Sequence, residues 1–232
     1  MTSALKQPKP CSACQDGEPL GFDFTMAFQP IVDIRDQSIY AYEALVRGLD
    51  GSSAWSILSQ VTDENRYRFD QSCRVKAVEL AAQLEVPCYL SINFMPNAVY
   101  QAATCIRATL ETARRVGFPA DRLIFEVTEN ERVVDHGHLK AIMTEYKRQG
   151  FQTAIDDFGA GYSGLNLLAE FQPDVIKLDM EIIRDIHTHP VRQAIVHGIV
   201  GVARTLDIKI IAEGIETPEE FEFLRGLGIH LF

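Results

Sequence analysis

No apolar stretch approaches the roughly 20 residues that a membrane-spanning helix needs, and the first twenty residues have no apolar signal-peptide core. Both absences point to a soluble, cytoplasmic protein. Cysteine is scarce and odd in number, five in 232 residues. A chain this long can bury one large core without staples, so reduced thiols are expected. Cys11 and Cys14 form a CxxC that could be half a zinc site or a redox pair. No second CxxC and no histidine pair at zinc-finger spacing follows, so they are read as plain thiols. Basic charge is also short, 22 Lys+Arg against 32 Asp+Glu for a net charge of -10. Such a surface repels nucleic-acid polymers and anionic membranes, and an anionic ligand would need metal ions or a locally basic pocket. Finally, no strand is followed by a Gly-rich dinucleotide loop or a Walker loop.

What is present is regular alternation. Residues 1–20 carry no apolar periodicity and read as a flexible leader or linker, with one domain over 21–232. Phe24–Ile34 and Ile39–Leu45 are β-rich and close enough together to pair only as an antiparallel hairpin. Helical periodicity follows at Ala54–Val61 and Arg66–Leu84. Strands Cys88–Phe94, Arg122–Thr128, Gln152–Asp156, Asp174–Asp179 and Ile208–Glu213 then alternate with helices expected over Ala98–Val116, His138–Arg148, Leu165–Glu170 and Val191–Leu206. Thr128 with Glu131, and Thr217-Pro218-Glu219-Glu220, have the spacing of capping boxes. Ile229–Phe232 begins one more strand. Eight strand candidates, the first two a hairpin, predict an α/β fold. It is a TIM-like (β/α)8 barrel with one antiparallel strand.

Polar residues recur at the C-terminal ends of these strands: Glu43, Asn93, Glu126, Asp156 with Asp157, Lys177 with Asp179, and Glu213. In a closed barrel those ends share one rim. Neighbouring side chains on a strand point to opposite faces, so Asp156 and Asp157 can aim at one point only where the strand stops and the backbone turns. Crowded carboxylates repel by several kcal/mol unless cations intervene. An all-oxygen set without histidine or cysteine suits Mg²⁺ or Mn²⁺. Two such ions sharing a carboxylate form a clamp for phosphodiester hydrolysis. The residues alone therefore predict a metal-dependent hydrolase of a phosphate ester. Calcium is expected to inhibit, because its looser coordination does not hold an in-line geometry. Asp179 and Glu216 read either as braces behind the site or as ordinary loop acids. Trp55 reads as core or as a lid, and the histidine pairs His136/His138 and His187/His189 as surface residues.

The segments FQPIVD, YEALVRG, SINF, FEVTE, IDDFGAGYSGLNLL, PDVIKLD and AEGIE together resemble the EAL-domain cyclic di-GMP phosphodiesterase family, from about Phe24 to the C-terminus. The resemblance implies that Glu43, Asn93, Glu126 and Asp156 bind one metal, and Asp156, Asp157 and Glu213, directly or through water, the other. A hydroxide between the ions would open the cyclic dinucleotide to linear pGpG. Lys177 would hold that nucleophile and Glu213 assist as base. Gln29, Leu45, Arg47 and Asp179 would form the substrate-binding set, the planar fork of Arg47 suiting a phosphate. Glu129 would anchor the loop after the Asp pair. Further implications are a homodimer through the loop and helix after Asp157, and sensor or GGDEF modules in a longer protein. The family pattern continues with a Gln-Gly pair and a final helix beyond Phe232, so the resemblance implies that this chain lacks the last βα unit of the barrel, with a truncated C-terminus and an exposed sheet edge. The alternative reading is a catalytically weak cyclic di-GMP receptor or a protein-interaction module, as eroded EAL domains are. The intact acidic rim favours the enzyme.

Overall fold

A turn at Asp36 and Gln37 sets the first two strands against each other. The Asp36 carboxylate accepts the Ser38 backbone N–H at 3.1 Å, and Gln37 takes the left-handed conformation at φ 60°. The structure, a computed structural model, describes residues 20–128, 136–161 and 164–232. Strands β1 (Thr25–Asp33) and β2 (Ser38–Arg47) pair antiparallel, with Gln29 opposite Glu43. Five further strands follow in parallel: β3 (Tyr89–Asn93), β4 (Leu123–Thr128), β5 (Gln152–Phe158), β6 (Val175–Leu178) and β7 (Lys209–Ala212). Their order in the sheet is their order in the chain. Parallel neighbours require crossovers, and the helices supply them. These are α1 (Ala54–Leu58), α2 (Arg66–Gln83), α3 (Ala102–Cys105), α4 (Arg107–Val116), α5 (His136–Arg148), α6 (Gly164–Glu170), α7 (Met180–Ile183), α8 (Pro190–Thr205) and α9 (Pro218–Gly226).

The result is the expected α/β, TIM-like architecture, a curled seven-stranded mixed sheet with one antiparallel pair. Its two edges are not left bare along their whole length. Leu231 bridges to Asp33 on one side and to Ile211 on the other. Val32 and Phe232 exchange backbone hydrogen bonds at 2.7 and 3.0 Å, and the Ala212 N–H donates to Leu231 at 3.0 Å. The expectation of an exposed edge therefore needs correction in the lower half of the cylinder, where the last residues join β1 to β7.

Two apolar layers form. The larger lies between sheet and helices, where α2 contributes Phe69, Cys73, Ala77, Val78 and Ala81 at spacings of three and four. The smaller fills the barrel interior with Ile31, Ala41, Ile124, Ala154, Val175, Ile211 and Leu231, one residue from each of seven chain segments. This inner plug is a floor, and the functional residues stand on it.

Several boundaries differ from expectation. The helix expected over 98–116 is broken into a 3-10 turn (Pro96–Ala98), α3 and α4. Val99 and Gln101 are extended there, and Tyr100 stacks on Tyr67 with ring centroids 4.4 Å apart. That long-range contact accompanies the break in the helix, and periodicity does not report it. Trp55 is 77% exposed and so is not core. The Thr217 capping box is present with both reciprocal bonds, whereas Glu131 of the other one lies outside the described residues, as do Cys11 and Cys14. No helix among the described residues is long and apolar enough to cross a membrane.

Candidate metal centre

Alternation along each strand builds the site directly from the inner floor. Side chains at i and i+2 share a face, and the residue two beyond each floor residue is polar. Ala41 leads to Glu43, Ile124 to Glu126, Ala154 to Asp156, Val175 to Lys177 and Ile211 to Glu213. On β3 the same face reads Tyr89, Ser91, Asn93. On β1, which runs the other way, Gln29 lies two before Ile31. The register carries this polar layer around the barrel, with Gln29 opposite Glu43, Glu43 opposite Ser91, Asn93 opposite Glu126 and Thr128 opposite Asp156.

Lys177 is at the centre, 1% exposed. Its ammonium lies 2.9 Å from Glu43 Oε2, 3.1 Å from Glu126 Oε2, 3.0 Å from Asp156 Oδ1 and 2.9 Å from Glu213 Oε1. The Asn93 amide donates to Glu43 Oε1 at 3.0 Å. Ser91 Oγ donates to Glu126 Oε1. Oxygens of Glu43, Glu126 and Asp156 all lie within 4.8 Å of one another.

Asp157 lies beside this cluster, and the strand-end expectation needs correction. β5 does not stop at Asp156 but runs on to Phe158. Its pairing with β6 slips between Ile155, opposite Ile176, and Phe158, opposite Leu178, so β5 holds one extra residue there. The bulge takes up Asp157 in the left-handed region at φ 53°. A bulge re-aims a side chain that alternation would send to the other face. The Asp157 N–H also donates to the neighbouring Asp156 carboxylate at 2.9 Å.

One ammonium faces four carboxylates, and the electrostatics record the excess. Burial pushes Glu126 up to about 8, with Lys177 opposing and Glu43 and Asp156 adding repulsion. Burial likewise raises Glu213 to about 7, against the pull of Lys177. Asp157 rises to about 6 through burial and the charges of Asp156 and Asp179. Burial works against the charge on Lys177, but Glu126, Asp156, Glu43 and Glu213 outweigh it and hold its pKa well above the ordinary value. A cluster that takes up protons near neutrality is short of cations. Its donors are hard carboxylate and amide oxygens, which fit Mg²⁺ or Mn²⁺.

The other predicted residues are placed in several ways. Gln29, Glu43 and Glu213 line a cavity of about 240 Å³ between β1 and β7. Leu45 and Asn93 line an apolar one of about 340 Å³, walled by Met26, Phe69, Phe94 and Met95. Arg47 ends β2 and donates to the Val46 carbonyl at 2.7 Å. Asp179 caps α7, accepting the Glu181 N–H at 2.7 Å, and Glu216 pairs with Arg184 at 2.7 Å. Both are braces of the local chain. Glu129 lies outside the described residues. Ser91 was missed by sequence reasoning; the available signal was its position two before Asn93 on the same strand.

Comparison with known proteins bears on this geometry. The EAL domain family matches residues 20–232. A standalone versatile EAL protein from Vibrio cholerae O395, in its c-di-GMP-bound form, matches with a TM-score of 0.88 and 55% identity, covering 91% of this chain and 90% of that one. The manganese/cy-diGMP complex of Klebsiella pneumoniae BlrP1 matches with a TM-score of 0.85 and 38% identity, covering 91% of this chain and 54% of that one. BlrP1 also matches in a calcium/cy-diGMP complex. Among curated relatives, the blue light- and temperature-regulated antirepressor BluF of Escherichia coli strain K12 is 33% identical over 207 residues, 89% of this chain and 51% of BluF. Others are named cyclic di-GMP phosphodiesterases, from Escherichia coli and Pseudomonas aeruginosa. The chain spans about half or less of the length of these curated relatives.

Proposed function

The chain belongs to the EAL-domain family, and from that premise we propose that it binds cyclic di-GMP at the mouth of the barrel and hydrolyses one phosphodiester to give linear pGpG. The observation that carries this reading is the convergence of Glu43, Glu126 and Asp156, from three separate strands, around the buried Lys177. Glu43, Asn93, Glu126 and Asp156 would hold one divalent ion, and Asp156, Asp157 and Glu213 a second. When bound, Mg²⁺ or Mn²⁺ ions acidify a water and neutralise phosphate charge.

The chain's own groups do the rest. Lys177 stands at the centre of these carboxylates, and its ammonium stabilises negative charge that develops there. Glu213 is half-buried at the rim, 2.9 Å from Lys177, where a carboxylate can accept a proton from the attacking water. Arg47 at the end of β2 offers a planar fork to a phosphate. Leu45 and the apolar cavity beside Asn93 exclude water from one side of the ligand.

The test is separation of nucleotide products after incubating the chain with cyclic di-GMP in Mg²⁺ or Mn²⁺. Linear pGpG is expected, with none from Glu43→Ala. Binding of cyclic di-GMP with no linear product would replace the enzyme by a receptor. That second reading has a specific basis, since a relative 33% identical over most of this chain is named an antirepressor. Divalent ions on its acidic layer would then hold the dinucleotide for a partner protein.

A further inference from the structure

Ser91 and Glu126 make a contact whose consequence depends on which carboxylate oxygen is used. Ser91 is fully buried in the barrel interior and Glu126 is 1% exposed. Ser91 Oγ donates to Glu126 Oε1, while Lys177 takes Oε2 at 3.1 Å. The Ser91 backbone is held between Glu43 on β2 and Ile124 on β4, and its full burial keeps water from the hydroxyl. One oxygen of Glu126 is thereby occupied by a neutral donor, and the other faces the cation. Glu43 shows the same division, with Asn93 on Oε1 and Lys177 on Oε2.

We propose that Ser91 is a positioning residue that keeps Glu126 a one-oxygen donor, and that it thereby biases the cluster toward Mg²⁺ or Mn²⁺ and against Ca²⁺. This rests on the reading of the cluster as a divalent-ion site. The small ions take single oxygens in a tight octahedral shell, whereas calcium fills a larger shell of about six to eight oxygens and often takes both oxygens of a carboxylate. A hydrogen bond held on Oε1 leaves Oε2 to the small ion and disfavours the two-oxygen grip that calcium takes. Removing the hydroxyl has two effects of different reach. It loosens the orientation of Glu126, which weakens any ion, and it frees Oε1, which helps calcium alone. A purely structural role for Ser91 would move both ions together.

The experiment is calorimetric titration of the chelator-stripped chain with MnCl₂ alone and with CaCl₂ alone. It compares the parent with Ser91→Ala, Ser91→Cys and Ser91→Thr, with thermal melts confirming the fold. Ser91→Ala is expected to weaken Mn²⁺ about tenfold, in the range seen when partners of metal ligands are removed. Calcium affinity should hold or rise, so the Ca²⁺:Mn²⁺ preference moves about tenfold toward calcium. Ser91→Cys keeps the volume with only a weak donor. It should follow Ser91→Ala and carries the test if the alanine variant unfolds. Ser91→Thr retains the hydroxyl and should keep the parent preference. Equal losses for both ions, or no change for either, overturn the proposal. A parent chain that binds neither ion overturns the metal reading itself, a result distinct from an unchanged preference in a parent that does bind.

Discussion

Lys177 Nζ lies 3.1 Å from Glu126 Oε2, a buried cation against a buried carboxylate on strands two apart in the sheet, each side chain 1% exposed. Truncating one partner of such a pair leaves the other uncompensated, at a cost of about 3 to 5 kcal/mol. Here four carboxylates share the one ammonium, so the cation is the partner that matters most. Lys177→Met should lower the melting temperature of the metal-free chain sharply, and saturating Mn²⁺ should recover most of the loss. Thermal melts with and without the ion measure both. A variant as stable as the parent without metal would mean that the cluster tolerates its own charge.

The pH dependence has a definite sign. Glu126 and Glu213 have folded pKa values raised to about 8 and about 7, above the ordinary carboxylate range. The folded metal-free chain therefore holds protons that the unfolded chain has lost, and its stability falls as pH rises from about 5 to 8. Divalent ions must displace those protons, so Mn²⁺ affinity should rise over the same interval. Calorimetry at several pH values would show proton release on binding, largest near neutral pH. A flat affinity profile would contradict the assignment.

Asp157 separates stability from chemistry. It occupies the left-handed region at φ 53°, which asparagine also tolerates, and its carboxyl is pressed by Asp156 and Asp179. Asp157→Asn should leave the melting temperature unchanged or slightly raised, because it removes like-charge repulsion and keeps the bulge. Metal-dependent cleavage should fall at least tenfold, a loss on the scale seen when even the outer partners of metal ligands are altered. Circular dichroism and the product assay on one preparation decide it. Loss of fold would show that the carboxylate itself holds the bulge.

Much of this was legible before any coordinates. The period of two along the strands announced which polar residues share a face, because alternation is a property of the extended backbone alone. Thr217 and Glu220 announced a helix start in the same way, through bonds confined to four residues. Ser91 obeyed the same parity and was passed over, because serine in a strand is unremarkable until its hydroxyl is seen to have a carboxylate as its partner. The core reading of Trp55 failed differently. Its helix is only five residues long, too short to define a buried face.

Local order in the chain determined the alternating elements, the polar residue two steps above each floor residue, and the excess of acid over base in that layer. Only tertiary structure decided that those acids meet around a single buried lysine. It also decided that β5 carries an extra residue that puts Asp157 in the left-handed region, and that the last residues link β1 to β7. The physical reason is that parity and capping depend on neighbours a few bonds away. The stagger of paired strands, the slip between Ile155 and Phe158, and the closing contact of Leu231 depend on hydrogen bonds between segments far apart in the chain.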